Sequence, residues 1–268
     1  MGADVVVQSL HKTLPSLTQT ALLHIQGDLV SRERMQHALA VFQSSSPSYV
    51  LLASIEACVA ELLERGEALL ADWRGRLDAF YRDAGLEKLS LLEKERDKEQ
   101  GFDRDPSKIV ILCEDTDQSG LDLIDILRER HGIELEMALD GYAIAMTGLY
   151  TTDADLGRLG EALRAMDCDS KLERRVHTVR PYPLMPEAVM TVGDALWAVG
   201  RQVPFAESVG YVSRTYLWAY PPGIPLLLPG VRITEEIVEA LTELVARGVE
   251  LRSTFEGLQG FVEVVDKG

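Results

Sequence analysis

The chain has 268 residues, of which 46% are hydrophobic and 26% are charged, a composition typical of a globular protein with more than one compact unit. Its 43 acidic residues outnumber 27 basic ones and give a net charge of −16, which argues against nucleic acid and anionic membrane surfaces as partners. No concentrated basic patch offsets this charge, because the short basic stretch at 171–175 also contains glutamate.

The cysteines and the N-terminal residues indicate where the protein works. Cys58, Cys113 and Cys168 are odd in number and far apart, so neither a disulfide framework nor a cysteine metal site is expected. The first residues lack the basic and apolar regions of a signal peptide, and no stretch has the length of a membrane span. We therefore expect a soluble, cytoplasmic protein without a membrane partner.

In chain order, the first patterns are a strand and a long helix. Residues 5–7 form a β-branched run followed by polar residues and Pro15, which predicts a buried strand leading into a loop. Residues 50–82 carry apolar side chains at three- and four-residue spacing, with Ser48 placed to cap the first turn. This pattern predicts one amphipathic helix and leaves a break near Gly66 open.

The next patterns predict a small α/β lobe. Charged residues crowd positions 87–105, which indicates a solvated connection. Beyond it we expect strands at 109–112, 133–137 and 142–149 and helices at 121–130 and 153–166, the first helix stopped by Gly132. Strands alternating with helices on this scale are typical of an α/β unit.

The last part of the chain reads as a separate lobe. Pro181 and Pro183 mark a boundary, after which helical patterns at 187–199 and 234–247 flank a turn-rich segment at 220–230.

The segment Ser-Leu-His-Lys-Thr-Leu-Pro-Ser-Leu-Thr-Gln at 9–19 brings Ser9, His11 and Lys12 together at the end of the first strand. Taken alone, such a lysine is most often a solvated surface residue, and such a histidine a structural one. A lysine that attacks an aldehyde must first lose its proton, which partial desolvation or nearby positive charge favours. Alternation along an extended backbone would put Ser9 and His11 on one side, where both could donate to one phosphate.

This segment resembles the lysine segment of the Orn/Lys/Arg decarboxylases, which are pyridoxal 5'-phosphate (PLP) enzymes with an aspartate-aminotransferase-type fold. Further similar elements follow in the family's order: Ser-Ser-Ser-Pro-Ser-Tyr at 44–49, Leu-Ala-Ser-Ile-Glu at 52–56, Gly-Ile-Glu-Leu-Glu-Met at 132–137 and Tyr-Pro-Pro-Gly-Ile-Pro at 220–225. The sequence departs from the family at Glu56, where aspartate is more usual, and at Val231, where an acid is usual.

The resemblance implies an α/β fold class, the C-terminal part of an aspartate-aminotransferase-type PLP fold plus a C-terminal α+β lobe. Residues 1–105 would be the end of the PLP-binding large domain and a long connecting helix. Residues 106–179 would form the small α/β domain, and 180–268 the family's C-terminal domain.

Carried over by these matches, Lys12 is the Schiff-base lysine, and Ser9 and His11 contact the cofactor phosphate. Residues 44–46, read alone, are a Ser-rich turn before a helix; in the resemblance, Ser45 reaches the phosphate of a partner subunit. The resemblance therefore implies a homodimer or higher oligomer.

Other polar residues give weaker indications. The histidines at 24, 37, 131 and 177 lack metal-ligand spacing, so no metal site is expected. Glu134 and Glu136 are expected to alternate to the same face of a strand, either as polar partners or as an edge-facing pair. If the family's acid at the position of Val231 receives a cationic substrate end, its loss here bears on substrate identity or activity.

In the family the Schiff-base lysine follows a long N-terminal portion. That portion holds the acid paired with the pyridine nitrogen and the ring stacked on the cofactor, and both make PLP an electron sink. Here the lysine is residue 12, so we expect a truncated gene, a split gene or an expressed fragment, with a separate N-terminal PLP-domain chain as one partner.

The resemblance implies decarboxylation of lysine, arginine or ornithine to the amine, as in polyamine biosynthesis. One alternative keeps PLP and changes the reaction to transamination or another lyase step, because this fold hosts many chemistries. A second alternative is a non-catalytic remnant that serves as a dimerising or binding module, which Val231 and the missing N-terminal portion favour.

Overall fold

The computed structural model describes residues 2–92, 104–139, 141–172, 186–219, 223–246, 251–255 and 260–266. The chain divides into two compact units, Met1–Arg175 and Val176–Gly268. Among the helices within these described ranges, none has the length and apolarity that a membrane span requires. Every residue expected to hold the cofactor lies in the first unit.

The first unit begins with a β-hairpin whose connection carries Lys12. Strands β1 (Val5–Ser9) and β2 (Ala21–Ile25) pair antiparallel along their full length. The expectation of a buried strand is wrong, because Val6 and Val7 are 42% and 73% exposed. Among the described residues β1 pairs only with β2, and a two-stranded ribbon cannot bury both of its faces.

Two helices follow the hairpin. Helix α1 (Arg32–Phe42) was not indicated by the sequence patterns, and it has no buried residue that would impose an apolar spacing. Helix α2 (Tyr49–Asp83) confirms the predicted long helix, and the Ser48 hydroxyl accepts from a backbone N–H of its first turn. The helix is continuous through its glycines, because one glycine weakens a helix by only about 0.5–1 kcal/mol, little for 35 residues packed on a core.

The small lobe contains a four-stranded sheet in the order β3-β4-β6-β5, antiparallel throughout. Its strands are β3 (Ser90–Leu91), β4 (Lys108–Leu112), β5 (Met137–Leu139) and β6 (Tyr142–Met146). The strand expected at 133–137 begins only at residue 137; the Ile133 N–H instead donates to the Leu127 carbonyl at the end of the preceding helix.

Two helices pack on this sheet, α3 (Gly120–His131) and α4 (Asp153–Asp169). Both begin with a capping box, in which a hydroxyl and a carboxylate three residues apart each satisfy a backbone N–H. Gly132 ends α3 with a φ of 62°, as predicted. Their apolar faces join the sheet and the last turns of α2 in one core that includes Leu77, Ile109, Ile111, Leu123, Leu127 and Leu163.

A buried carboxylate fastens the end of α4 to the chain after α2. Asp167, 5% exposed, accepts from the backbone N–H groups of Glu87, Lys88 and Leu89 at 3.1, 2.8 and 2.6 Å. Burial raises the pKa of Asp167, but these three hydrogen bonds and the Lys88 charge outweigh it and leave the pKa below the ordinary range. The Lys88 ammonium in turn donates to three carbonyls at the end of α4.

We call these hydrogen bonds of Asp167 the Asp167 clamp. They show that the expectation of a solvated connection at 87–105 is wrong in its first part. Leu89 and Leu91 are buried in the core of the small lobe. Residues 93–103 of that expected connection lie outside the described residues.

The second unit is a mixed α/β unit built on short strands. Helix α6 (Glu235–Ala246) confirms the pattern at 234–247, whereas the pattern at 187–199 yields only the six-residue α5 (Val192–Trp197). The strands are β7 (Gly200–Pro204), β8 (Leu217–Ala219), β9 (Ile224–Leu227), β10 (Leu251–Ser253) and β11 (Phe261–Val265), paired as β10-β8-β9 and β11-β7. The sequence patterns did not indicate these strands, because three to five residues show too few alternations of apolar and polar side chains.

Val231 lies in the apolar core of this second unit with Ile233, Ile237 and Leu241. A valine there contributes to packing, and a carboxylate at the same place would need a buried partner. The similar segment at 220–225 begins at residues 220–222, which lie outside the described residues.

Candidate functional site

The candidate site is built on the lysine loop, residues 10–20, which joins β1 to β2. Leu10 and Thr20 close the loop at its base, where the Leu10 N–H donates to the Thr20 carbonyl at 3.1 Å. Both residues are buried, whereas Ser9 and Lys12 are exposed. The loop thus has a fixed base and presents its polar residues to solvent.

Ser9 and His11 do not lie on one extended segment. β1 ends at Ser9, and His11 lies in a turn, so alternation cannot bring the two side chains to one side. The Nδ1 atom of His11 is 2.9 Å from the Thr20 carbonyl oxygen. The geometric premise for their convergence is wrong, although both residues flank Lys12 closely in the chain.

Lys12 faces a carboxylate from the small lobe. Its Nζ atom is 3.7 Å from Oε1 of Glu136, and the two side chains are 52% and 43% exposed. Glu136 directly precedes β5, and its backbone N–H donates to the Ile144 carbonyl in β6. The sheet therefore fixes the backbone that carries the carboxylate.

Glu134, two residues earlier, has a different role. Its carboxylate makes a two-pronged contact with the Arg128 guanidinium at 2.6 and 2.8 Å, and this hydrogen bonding lowers the pKa of Glu134. Both glutamates precede the strand, so the expectation that they alternate on one strand face is wrong. Only Glu136 is paired with the lysine.

The loop between β6 and α4, residues 147–152, braces the lysine loop. The Leu149 N–H donates to the Thr13 carbonyl at 2.9 Å, and a Cβ added at Gly148 would lie 3.2 Å from the same oxygen. The β6–α4 loop is itself bonded to α2, through Trp73 to Thr147 at 3.1 Å and Arg76 to the Leu149 carbonyl at 3.3 Å. Lys12 is thus adjacent to a residue held by the small lobe.

A hydroxyl network holds the other side of the lysine loop against α2. Ser54 accepts from the Leu17 N–H at 2.8 Å and lies 3.1 Å from the Ser16 hydroxyl. The hydroxyl oxygens of Ser16 and Thr20 are in turn 2.7 Å apart. Sequence reasoning missed this function of Ser54, although the similarity of segment 52–56 to the family had already marked its neighbourhood.

Ser45, given a cofactor role by the resemblance, and Asp4, which precedes β1, lie apart from this network. Ser45 is exposed in the turn between α1 and α2, and among the described residues its side chain makes no hydrogen bond. Asp4 precedes β1, where its carbonyl accepts from the Gln26 N–H at the open end of the hairpin. Asp4 therefore lies at the other end of β1 from Lys12.

The described residues contain no cluster of three or more histidine, cysteine or acidic side chains that could hold a metal ion. His24 is bonded to Gln8 across the hairpin. His177 lies outside the described part of the chain. Burial raises the pKa of the Cys58 thiol on α2, which keeps it protonated and unreactive.

Known proteins resemble this chain over most of its length. Residues 1–80 match the family model of the Orn/Lys/Arg decarboxylase major domain. Arginine decarboxylase of Halalkalibacterium halodurans is 31% identical over 255 residues, which cover 90% of this chain and 50% of that protein. Arginine decarboxylase of Bacillus subtilis is 30% identical over 272 residues, 98% of this chain and 55% of that protein.

The fold has solved counterparts as well. The crystal structure of the Francisella novicida lysine decarboxylase superposes with a TM-score of 0.77 at 22% identity, covering 98% of this chain and 49% of that one. The chain thus spans about half the length of the proteins it matches. The chain is therefore similar to the major domain of the Orn/Lys/Arg decarboxylases over residues 1–80, and to two arginine decarboxylases over most of its own length.

Proposed function

We propose that this chain supplies the Schiff-base lysine of a PLP-dependent decarboxylase that converts a basic amino acid to the corresponding amine. The observation that carries the proposal is the position of Lys12, reachable from solvent on a loop held by both α2 and the small lobe, with a carboxylate facing its Nζ. Arginine is the first substrate to test, because relatives at 30–31% identity are named arginine decarboxylases.

The residues of the loop fit the cofactor at two of its ends. The exposed Lys12 amine can reach an aldehyde, and the exposed Ser9 hydroxyl and the Nε2 atom of His11 make no hydrogen bond within the described residues, so both remain available to a phosphate. When bound, PLP supplies the π system that accepts the electron pair left by the departing carboxylate. The loop residues would hold PLP at its aldehyde and phosphate ends. Among the described residues near Lys12, we assign no partner to the pyridine nitrogen.

Glu136 has a consequence for the choice of substrate. Its carboxylate faces a cationic ammonium while Lys12 is free, and it would lose that partner if the lysine nitrogen bound the cofactor. The cationic end of a basic substrate can then take the place of the ammonium. We propose Glu136 as the residue that favours a basic side chain over a neutral one of similar length.

The Schiff-base assignment can be tested without an activity assay. Incubation of the chain with PLP, reduction with borohydride and peptide mapping are expected to place the pyridoxyl group on Lys12, because its amine is exposed. Lys171→Arg is the matched control, since Lys171 is also exposed, and it should leave the label unchanged. A label on another lysine, or an unchanged yield in Lys12→Arg, would refute the assignment.

The role of Glu136 predicts selective protection from that label. Arginine added before borohydride is expected to lower the labelling of Lys12. Norleucine, whose side chain carries no positive charge, is expected to lower it less. Glu136→Gln should reduce the difference between the two amino acids several-fold, because a neutral amide attracts a cation weakly. Glu134→Gln, at the residue paired with Arg128, is the control, and an equal loss in both variants would argue against Glu136.

We further propose that the chain works as a homodimer or higher oligomer. Large apolar side chains are exposed on the hairpin and on α1 and α2, among them Val7, Val41, Phe42, Tyr49 and Leu63. Exposed apolar surface on this scale is typical of protein interfaces, and Ser45 lies in the turn between these two helices. Sedimentation is expected to show a dimer or larger species at micromolar concentration, which Phe42→Glu should weaken; a well-folded native monomer would count against it.

A further inference from the structure

The hydrogen bond of His11 fixes which ring nitrogen carries a proton. Nδ1 lies 2.9 Å from the Thr20 carbonyl oxygen, and a carbonyl oxygen can only accept. Nδ1 must therefore carry the hydrogen in both the neutral and the cationic ring. It follows that Nε2 of the neutral ring is an acceptor, and that Nε2 donates only when the ring is an imidazolium.

The Thr20 carbonyl is a well-fixed acceptor. Thr20 is 2% exposed, and the same oxygen also accepts from the Leu10 N–H at 3.1 Å. The Thr20 hydroxyl donates to the Leu17 carbonyl at 2.7 Å, and Ser54 of α2 accepts from the Leu17 N–H at 2.8 Å. The orientation of His11 is therefore set through Thr20 by helix α2.

The charged environment of His11 comes from several elements. Its own loop contributes Lys12, and the small lobe contributes Glu136, which pairs with that lysine. The titratable groups on the elements that hold the loop include Asp4 before β1, His24 on β2 and Glu56 on α2. The pair of Lys12 and Glu136 contributes one positive and one negative charge.

We propose that His11 binds the cofactor phosphate as a pair that takes up one proton, and that Thr20 is the positioning residue that makes this obligatory. The proposal rests on the proposed function, since it concerns the phosphate of the same cofactor. A phosphate monoester carries close to two negative charges at neutral pH and offers only hydrogen-bond acceptors. The lone pair of a neutral Nε2 would therefore face a lone pair of a phosphate oxygen, with no hydrogen between them. A proton from solvent between Nε2 and the phosphate oxygen removes that conflict, whichever of the two atoms holds it.

The tautomer is tested first, by long-range 1H–15N spectra of the whole chain without cofactor. His11 is assigned as the signal that His11→Asn removes, and its neutral form is expected to be protonated at Nδ1. Thr20→Val keeps the backbone carbonyl but loses the hydroxyl that anchors it, so part of the His11 population should shift to the Nε2-protonated form. Thr20→Ser, which retains the hydroxyl, should restore the native pattern.

Proton uptake is tested with pyridoxine 5'-phosphate, which has the phosphate but no aldehyde and so cannot react with Lys12. Calorimetry in two buffers of different ionisation enthalpy, at about pH 7.5 where most histidines are neutral, should show net uptake approaching one proton per bound molecule. His11→Asn keeps an amide donor for the Thr20 carbonyl and lacks Nε2. It is expected to bind about tenfold more weakly, as for the loss of one charge-assisted hydrogen bond, with uptake close to zero.

The outcomes separate this inference from the proposed function. Failure of borohydride to label Lys12 would overturn the proposed function and this inference with it. Normal labelling of Lys12 combined with a His11 ring protonated at Nε2, with undiminished proton uptake in His11→Asn, or with no binding of pyridoxine 5'-phosphate would overturn this inference alone.

Discussion

The 268-residue chain assayed alone with PLP is expected to release little or no CO2 from arginine, lysine or ornithine. Stabilisation of charge in a transition state requires a site from which water is excluded. Here the Lys12 and Glu136 side chains are 52% and 43% exposed, so water reaches both. We expect a rate at least about a thousandfold below that of a completed enzyme.

Completion can be tested by supplying the part of the Bacillus subtilis arginine decarboxylase that this chain does not match. Activity is expected to appear on mixing or fusion and to be lost in Lys12→Ala, whereas Lys171→Ala should leave it unchanged. An isolated chain that releases CO2 as fast as the mixture would contradict the incomplete-site argument. A mixture that stays inactive while Lys12 still takes the pyridoxyl label would favour a non-catalytic binding module.

Replacement of Asp167 by alanine is expected to be the most damaging change to the stability of the first unit. The variant leaves the N–H groups of Glu87, Lys88 and Leu89 without their acceptor; Leu89 is buried, and the expected cost is about 2–3 kcal/mol in the free energy of unfolding. Asp169→Ala, two residues later at an exposed position, is the matched control and should cost less than about 0.5 kcal/mol. Urea unfolding, followed by amide exchange in β4, measures both.

The dependence of this effect on pH follows from the direction of the pKa shift. The pKa of Asp167 is lowered in the folded chain, so its stabilising contribution is fully present above the ordinary aspartate range, near about pH 4. The contribution is lost as the pH falls through the folded pKa. The difference in stability between the native chain and Asp167→Ala should therefore shrink below about pH 4; a constant difference down to about pH 2 would refute the clamp as an ionised carboxylate.

Features that depend on neighbouring residues could be predicted from the sequence. The cap at Ser48, the length of α2 and the stop at Gly132 are all set by interactions within one or two turns. The burial of β1 could not be predicted in the same way, since an apolar run has the same appearance whether or not another layer covers it. Helix α1 carried no signal, because none of its residues is buried.

The site was predictable only in its chemical components. The segment around Lys12 and its resemblance to a known lysine segment indicated Lys12 as the candidate residue. The partners of that group could not be identified, because Glu136, Leu149 and Ser54 reach the loop through long-range contacts. The turn at His11 likewise depends on the Thr20 carbonyl, a backbone atom that no side-chain pattern reveals.

The brace between Leu149 and Thr13 has a consequence for the order of events during synthesis. The lysine loop leaves the ribosome before the β6–α4 loop that supports it, which is added on the order of ten seconds later, at about 5–20 residues per second. Until then the Thr13 carbonyl has only water as a partner. Lys12 is therefore made before the loop that braces it, so a nascent chain arrested within the small sheet would display Lys12 on an unsupported loop.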